Sequence, residues 1–521
     1  MNELLKEKIV LTQCIGKETT QVLLEGDIIV SDAKPDMSVI LKTDASVGID
    51  RTEISADRIN FSGKMHVTVL YLAKNAEKPI HNMTVSMPVE DFINMEGVTR
   101  DMWVEVLANI SNIEYKMLND RKISYRAIVD VAIQAESKVE HDVVTSVDGL
   151  PESHLKKSRL NVNRTIENKE DRFIIKNDMT LPPGKPNIRG LLQSDIVISN
   201  KDIKVVNGRV NVSGELMMST LYSGDDDGII EFVEHEMPFN GFIDASGARD
   251  GMFGDVALRI SDRSITVGQD DDGEDRVLNA EVTIMAMVKV TSQNEVVILE
   301  DAYYINKDLN FTKEPVKFPK LVSRNKNQCP IKEIVQLDQG CPEILQIFQV
   351  TGNLLVENMK LFEDRITVEG IIDANILYIA KNDESPLYNF KAVVPFKQTI
   401  EAKGAMPHME CGIEHSIDHI GFNMLSEKEV EVRYLVCFLA RVVDNMEASV
   451  ITDIEFVDMD KSVIDKMASI TICVVQKDDS LWSIAKKYNT SLDDIISING
   501  LDESGSLYPG QKLLVLKKMP A

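Results

Sequence analysis

Apolar positions along the chain follow two rhythms. The first is strict alternation, as in Met65, Val67, Val69 and Tyr71, which share one face of a strand. It returns at Leu216, Met218, Thr220 and Tyr222, and again at Ile372, Ala374, Ile376 and Tyr378. Longer alternating runs follow at 125–135, 280–290 and 430–440, rich in β-branched residues and bounded by turn-type clusters. The second rhythm has i, i+3, i+4 spacing: Met37, Ile40, Leu41; Ile188, Leu191, Leu192; Ile344, Ile347, Phe348. Each triplet begins two residues after a proline, at Pro35, Pro186 and Pro342. Proline suits a first helical turn, where its missing N–H has no partner to lose. This spacing predicts a short helix at the start of each segment.

The segments form a tandem repeat of period about 150. An arginine stands 23 residues after each proline, at Arg58, Arg209 and Arg365. A glycine stands 28 residues after it, at Gly63, Gly214 and Gly370, and a tyrosine eight further on, at Tyr71, Tyr222 and Tyr378. A second proline closes the pattern at Pro88, Pro238 and Pro395. Half-apolar strands bury one face best in a two-layer sandwich. The repeated glycine marks a bend or a close backbone approach within a strand. An arginine present in all three copies reads as a structural residue.

The last 50 residues break the pattern. Val474-Val475 is read as the start of a short strand. Leu481, Ile484, Ala485 and Tyr488 then share one helical face, which Asp479 or Ser480 can cap. Asn489-Thr490 ends that helix, and Ser491-x-x-Asp494 opens a second one carrying Leu492, Ile495, Ile496 and Ile498. Asn499-Gly500 closes it, and Tyr508-Pro509-Gly510 turns into a strand at 512–516. A unit this small has a thin core.

Composition sharpens the picture in three ways. At roughly 150 residues per domain, 521 residues predict three to four domains. With 44% apolar and 27% charged residues, the chain reads as globular and not as disordered. Its 83 acidic against 57 basic residues leave a net charge of −26, which argues against broad nucleic-acid binding. From Thr471 onward six lysines balance six acids, so the negative charge lies in the repeats. Six cysteines form no C-x-x-C pair, as expected of a reducing compartment. The opening Met1-Asn-Glu-Leu-Leu-Lys-Glu-Lys lacks the apolar run of a signal peptide. The apolar stretch 434–440 is a strand's length, against the ~20 residues of a membrane span. The expectation is a soluble cytosolic protein without direct membrane insertion.

Candidate chemistry is sparse. Cys411, His415 and His419 have metal-ligand spacing, but their repeat counterparts lack Cys and His, so a polar strand face is the better reading. The acidic runs 270–275 and 225–227 lack the ligand order of a calcium loop and read as solvated hairpin loops. No G-x-x-x-x-G-K-[ST], H-E-x-x-H or G-x-S-x-G motif occurs. The expectation is a chain that is not an enzyme and has no cofactor or metal.

The C-terminal run Leu481-Trp-Ser-Ile-Ala-Lys-Lys-Tyr488, then Asn499-x-Leu501 and Tyr508-Pro-Gly-Gln-Lys-Leu513, resembles the LysM domain. LysM domains usually bind N-acetylglucosamine polymers. The resemblance implies a groove between Asp479, Ser480 and Leu481 on one side and Asn499, Gly500 and Leu501 on the other. Trp482 is read either as a core anchor or as an exposed edge at a partner interface, and Tyr508 is divided between the same two roles. The family usually carries Gly-Asp before the first helix. Here Asp478-Asp479 puts a carboxylate where the backbone normally approaches the sugar, which argues against a glycan; the missing signal peptide is what leaves the groove free for a protein. The three repeats resemble the SPOCS domain of spore-coat-associated proteins, with Pro238-Phe239 and Pro395-Phe396 fitting its pattern and Pro88-Val89 departing from it.

The expected fold class is therefore mainly β: three tandem β-sandwich-like SPOCS repeats (1–145, 155–300 and 315–455), a linker at 456–471, and a small βααβ LysM domain at 472–517. The arrangement is similar to that of a clostridial spore-morphogenesis family. It implies a scaffold in the mother-cell cytoplasm at the forespore surface, contacting the coat morphogenetic ATPase (stage IV sporulation protein A) through the LysM, and possible contact with other coat proteins. The rival expectation is a peptidoglycan or cortex binder.

Overall fold

The computed structural model describes residues 3–74, 80–151, 154–225, 229–305, 307–381, 387–459, 468–502 and 506–516. The first repeat contains β1 (Leu4–Ile29), β2 (Met37–Ser55), β3 (Arg58–Ala73), β4 (Ile80–Asn94), β5 (Trp103–Asn119) and β6 (Lys122–Val147). The second contains β7 (Leu155–Thr180), β8 (Ile188–Val206), β9 (Arg209–Gly224), β10 (Ile230–Asp244), β11 (Phe253–Gly268) and β12 (Val277–Ala302). The third contains β13 (Lys307–Gln336), β14 (Ile344–Phe362), β15 (Arg365–Ala380), β16 (Leu387–Glu401), β17 (Glu410–Ser426) and β18 (Glu429–Asp458). Each repeat folds into two three-stranded antiparallel sheets, ordered β1-β6-β5 and β2-β3-β4 in the first, with the same orders in the others. Apolar residues of both sheets meet in one core per repeat, so each is a sandwich. The expected mainly β fold, with a small helical unit at the C-terminus, is what forms.

The short helix expected after each proline is a strand instead. Met37, Ile188 and Ile344 open β2, β8 and β14. The helical spacing comes from β-bulges. The register slips between Met37 and Val39 and again between Ile40 and Lys42. It slips at the matching places in β8 and β14. Each bulge inserts one residue, so inward positions fall three apart and not two. Met37 and Ile40 therefore both pack on their own sandwich core, while Leu41 turns the other way. Ile188, Leu191 and Leu192 repeat this division, as do Ile344, Ile347 and Phe348. Bulged edges also resist pairing with foreign strands.

The repeated columns turn out to be single interactions. Each tyrosine is buried, and its hydroxyl donates to the carbonyl of the repeat's proline at 3.1 Å: Tyr71 to Pro35, Tyr222 to Pro186, Tyr378 to Pro342. Each glycine lies where β3, β9 or β15 meets a neighbour. A Cβ at Gly63 would stand 2.0 Å from the Gly48 carbonyl oxygen, and one at Gly370 2.1 Å from that of Leu355. At Gly214 it would meet the Phe239 ring at 2.8 Å. The residue paired with each glycine is Val89, Phe239 or Phe396, so the first repeat's departure from Pro-Phe falls on this contact. The prolines before them sit in β4, β10 and β16, edge strands that tolerate a missing N–H. The repeated arginines follow two-residue turns, and their guanidinium groups lie over Phe92, Phe242 and Phe362.

The three sandwiches close on one another. Leu70, Leu221 and Leu377 each precede the repeated tyrosine and point from the opposite strand face. They join Leu41, Leu192, Phe348, Ile80 and Leu387 in a core that all three repeats build. Strands β3, β9 and β15 are thus buried on both faces around Leu70, Leu221 and Leu377. A second shared core gathers Ile9, Leu11 and Val143 with Val162, Val296 and Ile298, and with Val316, Phe318 and Val450. It lies along the long ribbons β1–β6, β7–β12 and β13–β18. Beside the first shared core is a buried polar cluster. Lys42, 2% exposed, pairs with Asp44 at 2.8 Å and lies 3.4 Å from the Gln349 amide oxygen. Gln193 donates to Asp195 at 2.7 Å. Burial pushes the Asp195 carboxyl up. At the outer seams Lys289 meets Glu136 at 2.6 Å, and Arg324 and Arg441 both hold Asp255.

The acidic run 270–275 forms the loop between β11 and β12, where the Asp270 carboxylate accepts the N–H groups of Asp272 and Glu274 at 3.0 Å. Of the run 225–227, residues 226 and 227 lie outside the described residues, as do 460–467 of the expected linker. On β17, Cys411 packs against the third sandwich core while His415 and His419 are exposed.

Two predictions follow from these contacts. Gly63→Ala should lower stability by about 1–3 kcal/mol through its clash with the neighbouring backbone. Gly48→Ala, whose Cβ meets nothing within 4 Å, should be neutral or slightly stabilising. Denaturant midpoints distinguish the two, and equal losses would exclude the contact. The second concerns pH. Burial pushes the phenols of Tyr71, Tyr222 and Tyr378 up, Tyr222 to about 12. The folded chain therefore holds these protons more tightly than the unfolded chain, whose phenols titrate near ~10. That stabilisation is complete below pH ~10 and is lost as pH rises through the folded value. Melting curves of the parent and Tyr222→Phe should draw together between pH 9 and pH 12, whereas a constant gap would contradict the buried-phenol account.

Candidate functional site

The C-terminal unit contains β19 (Ile470–Val474), α1 (Leu481–Lys487), α2 (Leu492–Asn499) and β20 (Lys512–Leu516). Its first strand ends at Val474, where the sequence reading had it begin. The strand's alternation starts at Ile470, with Ile470, Ile472 and Val474 on one face and Cys473 on the other. β19 and β20 pair antiparallel, and their inner residues Cys473, Leu513 and Val515 pack on Ile484, Ala485 and Ile495 of the helices.

Side chains that could have faced a ligand are engaged in holding this unit together. The Asp479 carboxylate accepts the Gln476 N–H at 2.8 Å. The Ser480 hydroxyl accepts the Ser483 N–H at 3.1 Å, and the Ser483 hydroxyl accepts the Ser480 N–H at 2.9 Å. That reciprocal pair caps α1. Ser491 caps α2 by accepting the Asp494 N–H at 3.2 Å. The Asn499 amide donates to the carbonyls of Ile495 and Leu514 at 2.8 Å and accepts the Leu514 N–H at 2.6 Å, tying α2 to β20. Gly500 ends α2 with a left-handed φ of 60°. Leu481 and Leu501 are half-buried against the core.

The two aromatic candidates differ. Tyr508, in the loop before β20, is 66% exposed. Trp482 is half-buried, and its ring stands T-shaped to that of Tyr303, 5.5 Å between centroids. Tyr303 lies between β12 and β13 of the repeats, a contact that no helix or strand pattern in the sequence signals. The remaining prominent feature is the outer face of β19–β20. It presents Ile470 and Ile472, both more than 60% exposed, with Val474 and Leu514 beside them. Alternation from Ile470 could have revealed this face. Among the described residues no group of three His, Cys, Asp or Glu side chains could hold a metal, and no helix is long and apolar enough to cross a membrane.

Comparison with known families accords with this architecture. Residues 36–118, 187–267 and 343–425 each match the family model for the SipL SPOCS domain, and residues 473–515 match that for the LysM domain. The chain thus carries three SipL SPOCS domains followed by one LysM domain. These domains fit a sporulation protein that carries a LysM module. Searches of curated proteins and of solved structures return no match. Each SPOCS match begins near β2, β8 or β14 and ends near the close of β5, β11 or β17. The long ribbon strands on either side complete each sandwich and the shared cores.

If the groove residues act as described, Ser480→Ala should cost about 1 kcal/mol. Asn499→Ala, which removes three hydrogen bonds, should cost about 2–4 kcal/mol. Hydrogen exchange at the Leu514 amide reads both, with Asn499→Ala the faster. The reverse order would show that Asn499 is not the clamp.

Proposed function

We propose that this chain is a non-enzymatic scaffold of spore-coat morphogenesis, whose LysM module recognises a protein. In this reading the partner is the coat morphogenetic ATPase, stage IV sporulation protein A, and the place is the mother-cell cytoplasm at the forespore surface. The SPOCS–LysM arrangement supports the setting. The observation that carries the protein-binding reading is the outer sheet face. Ile470, Ile472, Val474 and Leu514 form an apolar surface on a module whose groove side chains are engaged in caps and clamps. Exposed apolar faces of this kind suit protein contact. The strong negative charge of the repeats keeps the chain soluble and repels anionic membrane, so a partner would bring it to the forespore surface.

One observation favours the second reading, recognition of peptidoglycan or cortex. Tyr508 offers an exposed aromatic ring in the loop before β20.

The test uses the full chain, a chain ending at Asp458 and full-chain Ile472→Asp as baits for the purified ATPase, with peptidoglycan as competitor. The full chain should retain the ATPase, the shortened chain should lose it, and Ile472→Asp should weaken it about ten-fold or more. Unchanged binding by Ile472→Asp would remove the sheet face from the interface. Binding to peptidoglycan that Tyr508→Ala abolishes, with no ATPase retained, would establish the second reading instead.

A further inference from the structure

The helical side of the LysM module is not open to solvent in the way its sheet side is. Tyr303, 4% exposed, belongs to the connection between the second and third repeats, yet it packs within the LysM core beside Ile484, Ala485 and Ile495. The repeats hold this ring rigidly. Its backbone N–H donates to the His154 carbonyl at 3.1 Å, and His154 stacks on its other face at 4.3 Å. Burial, reinforced by the carboxylates of Asp493 and Asp494 on α2, pushes the Tyr303 phenol up. Trp482 stands T-shaped to the ring, and the indole N–H is buried without a hydrogen-bond partner among the described residues. Next to it, Lys486 makes bonds of 2.7 and 2.6 Å to the two carboxylate oxygens of Asp301. The same ammonium lies 5.3 Å from the Trp482 ring centre and 5.6 Å from that of Phe311 on β13.

Three residues of the repeats, Asp301, Tyr303 and Phe311, thus face two of the module, Trp482 and Lys486. The contact is aromatic at its centre and ionic at its rim. Eleven residues separate the end of β18 from the start of β19. A tether of that length sets an effective concentration of about millimolar, so a contact with a dissociation constant below about millimolar stays closed. We propose that these five residues form an intramolecular latch: the Trp482 face of the LysM is occupied by the chain's own repeats, and the module is presented in one orientation with its β19–β20 face outward. The occupants of that helical face are Asp301, Tyr303 and Phe311 of the same chain, not a second copy or another protein. The latch is independent of which partner the sheet face binds.

The chain has only two tryptophans, Trp103 and Trp482, so Trp103→Phe makes Trp482 the sole fluorescent reporter. Acrylamide quenching is then measured on the full-length protein. Asp301→Lys should open the latch, shifting the docked-to-open ratio about five-fold and raising the quenching constant. Adding Lys486→Asp, which restores the ion pair in reverse, should return quenching towards the parent value. Asp301 lies at the rim, so Asp301→Lys tests docking without emptying the core; Tyr303→Ala, which does empty it, serves as the fully open comparison. A quenching constant that Asp301→Lys leaves unchanged overturns the proposal. So does an increase that the second substitution fails to reverse.

Discussion

Leu70, Leu221 and Leu377 can be buried only when all three repeats are present. Each lies on a strand whose other face already fills its own sandwich, so the strand needs cover on both sides. A fully buried leucine contributes about 1.5–3 kcal/mol, and the shared cores contain many such side chains. A lone repeat would expose them. This explains the number of repeats: three sandwiches close around shared cores, and the chain behaves as one body carrying a small module. The columns around the shared core are not identical. Where one repeat has Lys42, the others have Gln193 and Gln349, so one seat carries a charge that the other two lack. An unpaired buried charge costs about 3–5 kcal/mol, which makes a wrong seating of the repeats expensive.

Much of this was legible in the sequence, and for a physical reason. A tyrosine–carbonyl bond and a glycine pressed against a neighbouring backbone each tolerate one residue type, so both survive as columns at constant spacing. Strand alternation was equally plain, because each sandwich face wants its own chemistry. The short helix was misread because two bulges three residues apart mimic helical spacing. No periodicity rule separates those cases without the partner strand. The shared cores were invisible for another reason. Leu41 and Leu70 look like ordinary strand residues until a second and third repeat are placed against them.

The C-terminal module shows the same division. Its caps, helix ends and second strand follow from local signals such as Ser480, Ser491 and Gly500. Its surroundings do not. Trp482 packs against Tyr303, which comes from nearly 180 residues earlier in the chain, a contact that neither the core-anchor nor the partner-interface reading contained. Local pattern carries no information about that pairing. The carboxylate of Asp479, a groove candidate, is held within its own turn.

The long ribbons also impose an order on synthesis. β1 finds its partner only when β6 has emerged, with Leu4 pairing to Val147. At about 5–20 residues per second the first strand waits roughly 7–30 s, with its hydrogen-bonding groups unmatched. Its charges, from Lys6, Glu7 and Lys8 through Lys17 and Glu18, keep that waiting strand from pairing with others of its kind. Each later ribbon, β7 with β12 and β13 with β18, imposes a similar delay. The closed three-repeat body is therefore the last thing the ribosome's product can achieve, and a chain interrupted before β18 displays two finished sandwiches with their shared surfaces bare.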